Sequence, residues 1–290
     1  MKNIKRILAV ALAVLMVLSL SACGSFEAKM AKAAQKMSKL ESMRMDVDMD
    51  MDMKLSMLGE ELALDADLEV EADVLRSPMT LGGSMNLEFM DEELGCLFYM
   101  EKAEEGLGLY LSSDNGKTWI KKNVELSAEV PEFDVMSNLG ELAKLAATFK
   151  ETGTEEIRGS NATVYSGYIP GEEISKGLSS INYAELEDVE LDFSALSQAQ
   201  VSDTPATIAI DNKSGMVVRC TLDMTEILQD MMKLVMDIVL DQVAEEIGLE
   251  GVDLSALGMT VEVSQAEARM EFYDFDAVRS IDHPQNVLAA

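Results

Sequence analysis

Three kinds of side chain in this sequence could do chemistry: thiols, thioethers and carboxylates. The thiols are Cys23, Cys96 and Cys220. Methionine supplies 22 thioethers, and Met43, Met45, Met49, Met51, Met53, Met57, Met79 and Met85 share one parity of an alternating pattern. Soft sulfur ligands select Cu(I), but residues i and i+2 of a strand sit ~6.6 Å apart, so Met-x-Met runs do not converge on one ion. A flexible, polarizable wall for variable apolar partners suits them better, as does gap-filling in a packed core. The carboxylates form two rows, Asp46, Asp48, Asp50 and Asp52, then Asp65, Asp67, Glu69, Glu71 and Asp73. Such oxygens can hold calcium; a solvated polar face needs no ion. Asp114-Asn115-Gly116 lacks the remaining positions of a calcium loop. Two cysteines and the lone His283 cannot build a zinc cluster. No nucleophile elbow, phosphate loop or dinucleotide glycine pattern is present. We expect no enzyme, no metal and no cofactor.

Cys23 has the most informative surroundings. Lys2, Lys5 and Arg6 form a basic start, residues 7–18 an unbroken apolar run, and Leu20-Ser21-Ala22 lead into Cys23. The run suits a signal peptide and falls short of the ~20 residues that span a bilayer. The four positions 20–23 resemble the bacterial lipobox, which implies cleavage after residue 22 and lipid on Cys23. Two or three acyl chains anchor stably, at ~0.8 kcal/mol per buried CH₂.

Removing residues 1–22 takes three positive charges and no acid from a chain of net charge −30, leaving −33. That charge argues against nucleic acid and direct adsorption to anionic headgroups. With 48% apolar residues, the remainder is a folded protein. Outside the cytoplasm Cys96 and Cys220 could form one disulfide, or remain buried free thiols.

The elements that must position these groups are legible from periodicity. Residues 26–43 have helical spacing, with Lys29, Lys32, Lys36 and Lys39 between the apolar positions. These lysines could face a headgroup layer beside the tether or balance the acidic strands. From Met43 to Met57 every odd residue is apolar and every even one from Arg44 to Ser56 polar, a one-sided strand of about 50 Å. A turn at 58–61, a strand to Val74 and a third at 79–89 follow, so the two acidic rows lie side by side. Shorter strands are expected at 96–102, 107–112 and 118–122, a covering helix at 133–149, and a strand at 157–169 broken by Gly159. A helical turn at 172–178 and an irregular acidic stretch at 179–202 come next. A hairpin spans 207–224. A helix capped by Thr225 is apolar nearly all round between 227 and 240, so most of it should be buried. The last strand, 260–272, changes apolar parity, which requires a bulge near Ser264-Gln265. A loose tail with Pro284 ends the chain.

This order resembles the lipoprotein-carrier superfamily, meaning LolA-like and LppX-like half-barrel proteins and their Gram-positive lipoprotein relatives. The stretches 26–55, 115–121, 208–219 and 273–284 carry the resemblance. It implies a curved antiparallel sheet around an apolar cavity closed by helices, and acyl chains or lipoproteins as cargo. The arginine of the Gram-negative carriers matches no position here, and the helix at 225–248 is additional to the simple pattern.

The resulting expectation is an α+β chain: a long curved antiparallel β-sheet (half-barrel) with helices covering the concave face. Residues 1–22 are the signal peptide and 23–290 one domain with a helical insertion near 225–258. The chain would be a lipid-anchored monomer on the extracytoplasmic face of the cell membrane, in a Gram-positive-type bacterium. The expected ligand is an acyl chain, a lipid or a lipoprotein. Met45, Met49, Met51, Met53, Leu68, Val70, Met85 and Leu87 would form the floor, and Phe133, Leu142, Met231, Val235 and Ile238 the lid. The alternative is a surface interaction module with a filled core that docks a basic partner through its acidic face.

Overall fold

The alternation becomes two paired ribbons in the computed structural model, which describes residues 26–57, 59–90, 92–103, 106–124, 148–179, 199–246 and 259–289. β1 (Ser42–Met57) and β2 (Glu60–Arg76) are 16 and 17 residues long and pair in register from Met57↔Glu60 to Ser42↔Leu75. β3 (Met79–Phe89), β4 (Glu92–Lys102), β5 (Leu107–Ser112) and β6 (Trp119–Val124) continue the antiparallel meander. On the other side β11 (Thr260–Tyr273) pairs with β1, followed by β10 (Val217–Asp223), β9 (Thr204–Asp211), β8 (Ser160–Ile169) and β7 (Lys150–Ile157). β12 (Val287–Ala289) adds in parallel to β6. The described residues thus form one curved, open twelve-stranded sheet, the expected half-barrel.

Two local features bend the ribbons while keeping their faces distinct. Ser264 is the extra residue of a bulge, because Asp52 pairs with Gln265 but Met53 with Val263. The parity change anticipated near 264–265 therefore keeps Val261, Val263, Ala266, Ala268 and Phe272 on the methionine face. At Gly83 the β2 backbone comes so close that a Cβ would lie 1.8 Å from the Glu71 carbonyl oxygen. Only glycine fits there.

α1 (Phe26–Met37) plugs one end of the apolar face. Ala, Lys, Gln and Met favour the helix, and Phe26, Met30, Ala33 and Met37 bury one stripe of it. Phe26 stacks on Phe149 and meets Tyr165 of β8, each at 4.9 Å between ring centroids. The expected helix to residue 43 is too long: it ends at Met37, and Met43 is a wholly buried strand residue of the same core. The chain re-enters the sheet as soon as period-2 alternation begins.

α2 (Gly171–Ser179) follows β8, and α3 (Thr225–Glu246) follows β10. Four expectations are corrected. The strand at 157–169 is a hairpin, with Arg158-Gly159 as its turn and 150–157 as its first arm. Thr225 is not the cap of α3: its amide donates to Asp223 Oδ1 at 3.1 Å, and its hydroxyl accepts from the Ala266 amide at 3.0 Å. α3 is less buried than its composition suggests. Ile227 is buried, but the described side chains from 228 to 240 are half-buried, with Lys233 and Asp237 exposed. The tail is docked rather than loose. Asp276 and Val278 donate backbone N–H groups to the Ser42 carbonyl and hydroxyl, Ile281 lies over Gly82, and β12 joins the sheet.

The expected covering helix at 133–149, with Phe133 and Leu142, lies outside the described residues except Thr148 and Phe149. So do 180–198 of the acidic stretch and the signal segment through Cys23.

Candidate functional site: the apolar concave face

Cross-strand register assembles the apolar residues into rows. One runs Cys220–Met270–Val47–Val70–Met85–Cys96, the next Leu222–Ala268–Met49–Leu68–Leu87–Leu94. Towards the strand ends come Ala266–Met51–Ala66–Phe89, then Val263–Met53–Leu64, then Val261–Leu55–Leu62. Towards α1 the row Phe272–Met45–Ala72–Gly83–Phe98–Leu111–Ile120–Leu288 crosses eight strands. Each position touches like neighbours about 5 Å away.

Burial falls along this face. Beneath α1, Met43, Val74, Leu81, Ile208, Cys220 and Phe272 are buried. Met45, Met49, Met51, Met53, Leu68, Val70, Met85 and Leu87 are half-buried. At the far end Leu62 is 46% exposed, Phe89 39% and Leu94 61%. The concave face is thus packed beneath α1 and along β11, where Val263, Ala266 and Ala268 are buried, and open towards Leu62, Phe89 and Leu94.

All eight floor residues expected from sequence stand together on this face. Met231, Val235 and Ile238 are half-buried and recur at helical spacing from the buried Ile227. α3 is fastened beside them by β11's own edge. The Gln229 amide donates to the Val261 carbonyl at 2.9 Å and accepts from the Val263 amide at 2.8 Å, while Ala266 donates to Thr225. β10 pairs with β11 only from Glu267 to Glu271, so these side chains satisfy the edge that β10 leaves bare.

Sequence reading missed Phe98, Leu111, Ile120 and Leu288 as parts of the same surface. In Cys96-Leu97-Phe98-Tyr99-Met100 every residue is apolar or aromatic, so parity says nothing and only register with β3 does. The disulfide considered for Cys96 and Cys220 does not form. Both are free, on β4 and β10 with four strands between them, far beyond the ~7 Å between Cα atoms that a bridge allows. Burial pushes the Cys220 thiol up to about 11.

The opposite face carries a small apolar cluster, Ile157, Ala162, Ala209 and Val218, and two charged zones. Near the α1 end, arginines answer the acids. Arg158 pairs with Asp46 and, at 2.7 Å, with Glu271; Arg219 pairs with Glu271 at 3.0 Å and Glu155 at 2.8 Å; Arg269 pairs with Asp48 at 2.9 Å. Arg158 also lies 3.9 Å over the Tyr273 ring, and burial with the Asp46 carboxylate raises that phenol to about 12. Burial would raise Glu271, but hydrogen bonds from Arg158 and Arg219 outweigh it and hold the carboxyl below its ordinary value. Further along, Glu267–Asp50–Asp67–Glu88–Glu93 form an acidic ladder across five strands. Burial, then the neighbouring Asp50, raise Asp67.

His283, the only histidine, anchors the docked tail. It sits edge-on to Tyr99 and Tyr110 at 5.1 and 5.3 Å, its Nε2 3.6 Å from Glu101 Oε1. The Asp114 carboxylate is occupied by Ser112 Oγ at 2.8 Å and the Thr118 amide at 2.9 Å, so that loop folds on itself. Among the described residues no cluster of metal-ligating side chains occurs, and no helix is long and apolar enough to cross a membrane.

Fold and face together define an open half-barrel with an oily interior and a charged exterior. The chain belongs to DUF6612, a family of unknown function, whose model matches residues 25–246. No curated protein matches. The structure is similar to that of the lipoprotein LppX of Mycobacterium tuberculosis, at 15% identity and TM-score 0.42, covering 88% of this chain and 97% of that one. It is also similar to LprF of Mycobacterium bovis, at 12% identity and TM-score 0.45, covering 89% and 96%. A putative outer membrane lipoprotein-sorting protein domain from Vibrio parahaemolyticus shows 10% identity and TM-score 0.20, covering 87% and 92%.

Proposed function

We propose that this chain is an exported lipoprotein, anchored through lipid on Cys23, that holds a hydrophobic ligand on its concave face. One observation carries the reading: the apolar run Met45 to Leu55 on β1, with Val70, Leu68, Ala66 and Leu64 opposite it on β2, is half-buried rather than packed shut. Floor residues filling a sealed core would be as buried as Met43 is beneath α1. The mechanism is desolvation. An acyl chain laid over the floor exchanges water for methionine, leucine and valine, at ~25 cal/mol per Å² of apolar area removed from water. The thioethers adapt to a chain of variable length and kink. Met231, Val235 and Ile238 would close over it, and no catalytic step is involved.

Native mass spectrometry of the chain purified from its own membrane, before and after delipidation, tests this. A ligand mass that delipidation removes, and that returns with added lipid, is the expected result. Met49→Glu places a carboxylate in the floor and should weaken acyl-chain binding at least tenfold, about 1.4 kcal/mol. An empty mass throughout, with a basic partner retained in low salt and lost in high salt, would instead support the filled-core module docking through the ladder at Asp50 and Asp67. The intact mass at Cys23, compared with Cys23→Ser, separately reports the anchor.

A further inference from the structure

We propose that the α1 end of the half-barrel rests on an anionic lipid surface through a group of lysines, so that the open end of the concave face points away from the membrane. The proposal rests on the anchor at Cys23. Gly24 and Ser25 alone separate that cysteine from Phe26, three residue steps that span at most about 11 Å. The lipid therefore enters the bilayer beside the first turn of α1.

What α1 presents there is unusual for so acidic a chain. Its inward stripe is Met30, Ala33 and Met37, while Lys32 and Lys36 are exposed on the outward side and Lys39 is exposed in the turn that follows. Lys213, in the turn between β9 and β10, is exposed beside them, since the Lys36 ammonium reaches the Ser214 carbonyl of that turn. Lys150 is exposed next to Phe149, which stacks on Phe26. The exposed acids at this end include Glu27 and Glu41 on the α1 segment, Glu151, which pairs with Lys29, and Asp276, which accepts the Glu41 amide.

The far half of the molecule has the opposite sign. Beyond the ladder that runs through Asp50 and Asp67 to Glu93 come Glu60, Glu61 and Glu92, all exposed. Lys54 stands among them and pairs with Glu61. A tethered body with this polarity feels a torque near anionic headgroups. Its lysine end is attracted within a Debye length of ~8–10 Å, and its acidic end is pushed into solution. Untethered, the net charge of −33 left without residues 1–22 would keep it off the surface. Tethered, only one pole can be lowered. The exposed rim at Leu62, Phe89 and Leu94 then opens towards whatever delivers or receives cargo outside the membrane.

The test supplies the tether artificially, so it does not depend on natural lipidation. Residues 24–290 carrying an N-terminal polyhistidine tag are bound to nickel-chelating vesicles, either of phosphatidylcholine or with roughly a third phosphatidylglycerol. Pulsed lysine acetylation is then read by mass spectrometry. On the anionic vesicles Lys32, Lys36 and Lys39 should label at least threefold more slowly than on phosphatidylcholine, an effect lost in high salt, while Lys54 and Lys233 are unchanged. A Lys32→Gln/Lys36→Gln/Lys39→Gln variant should lose the protection of Lys213. Equal labelling on both vesicles, or protection of Lys54 and Lys233 instead, overturns the proposal. Absence of lipid on Cys23 in the native protein would remove the anchor reading without altering this outcome.

Discussion

At the scale of single residues, the charged face shows how one carboxylate can organise a neighbourhood. Glu271 receives both Arg158 and Arg219 and has a side chain only 15% exposed, so removing its charge leaves two guanidiniums half-compensated. Glu271→Gln should lower stability at pH 7 by roughly 1–2 kcal/mol, read as a lower urea midpoint. The pH dependence has a definite sign. A carboxyl held below its ordinary value of 4.5 stabilises the fold above that value. It loses that contribution as pH falls through the folded pKa. The gap between wild type and Glu271→Gln should therefore close below pH 4.5, and a gap that widens there would contradict this assignment. Asp67 has the opposite sign. Its raised value means the ladder costs stability at neutral pH and relaxes in acid.

At the scale of elements, the instructive case is α3, where a helix takes the place of a strand. β11 runs on past the end of β10, and Gln229, Thr225 and the Met224 amide occupy the hydrogen-bonding positions of the missing neighbour. Gln229→Ala would leave the Val263 amide and the Val261 carbonyl without these partners. Amide exchange at Val263 should then accelerate at least tenfold, with little change at Met270, which lies between β10 and β1. Unchanged exchange at Val263 would show that α3 is held by other contacts. None of this was legible from the chain, because Gln229 sits in an ordinary helical pattern and its role exists only through register. By contrast β1, β2 and the bulge at Ser264 were legible, because one buried face imposes strict alternation and a bulge must shift parity; the turn expected at 58–61 is shorter, since Glu60 and Glu61 already pair with Met57 and Ser56 in β2. The tail was misjudged for a related reason. His283 and Ile281 dock on Tyr99, Tyr110 and Gly82, which lie some 170 residues or more earlier in the chain.

At the scale of the whole molecule, an open half-barrel leaves the fold incomplete in a specific sense. A sheet this long ordinarily buries its oily face, and here, among the described residues, Met49, Met51, Met53 and their β2 and β3 partners beyond the α1 end stay half-buried or exposed. A ligand that covers the rest binds the folded chain and not the unfolded one, so it must stabilise the fold by mass action. At a hundredfold excess over its dissociation constant the gain is about 2.7 kcal/mol. In a chain of this size that corresponds to a melting temperature about 5 °C or more higher. The delipidated protein should therefore melt measurably later with palmitate, and not with butyrate, which carries the same carboxylate and almost no chain. Met49→Glu should abolish the shift while leaving the fold intact, because position 49 is half-buried on the floor and away from the α1 core. If palmitate and butyrate act alike, the carboxylate rather than the chain is being recognised, and the apolar grid is not the binding surface.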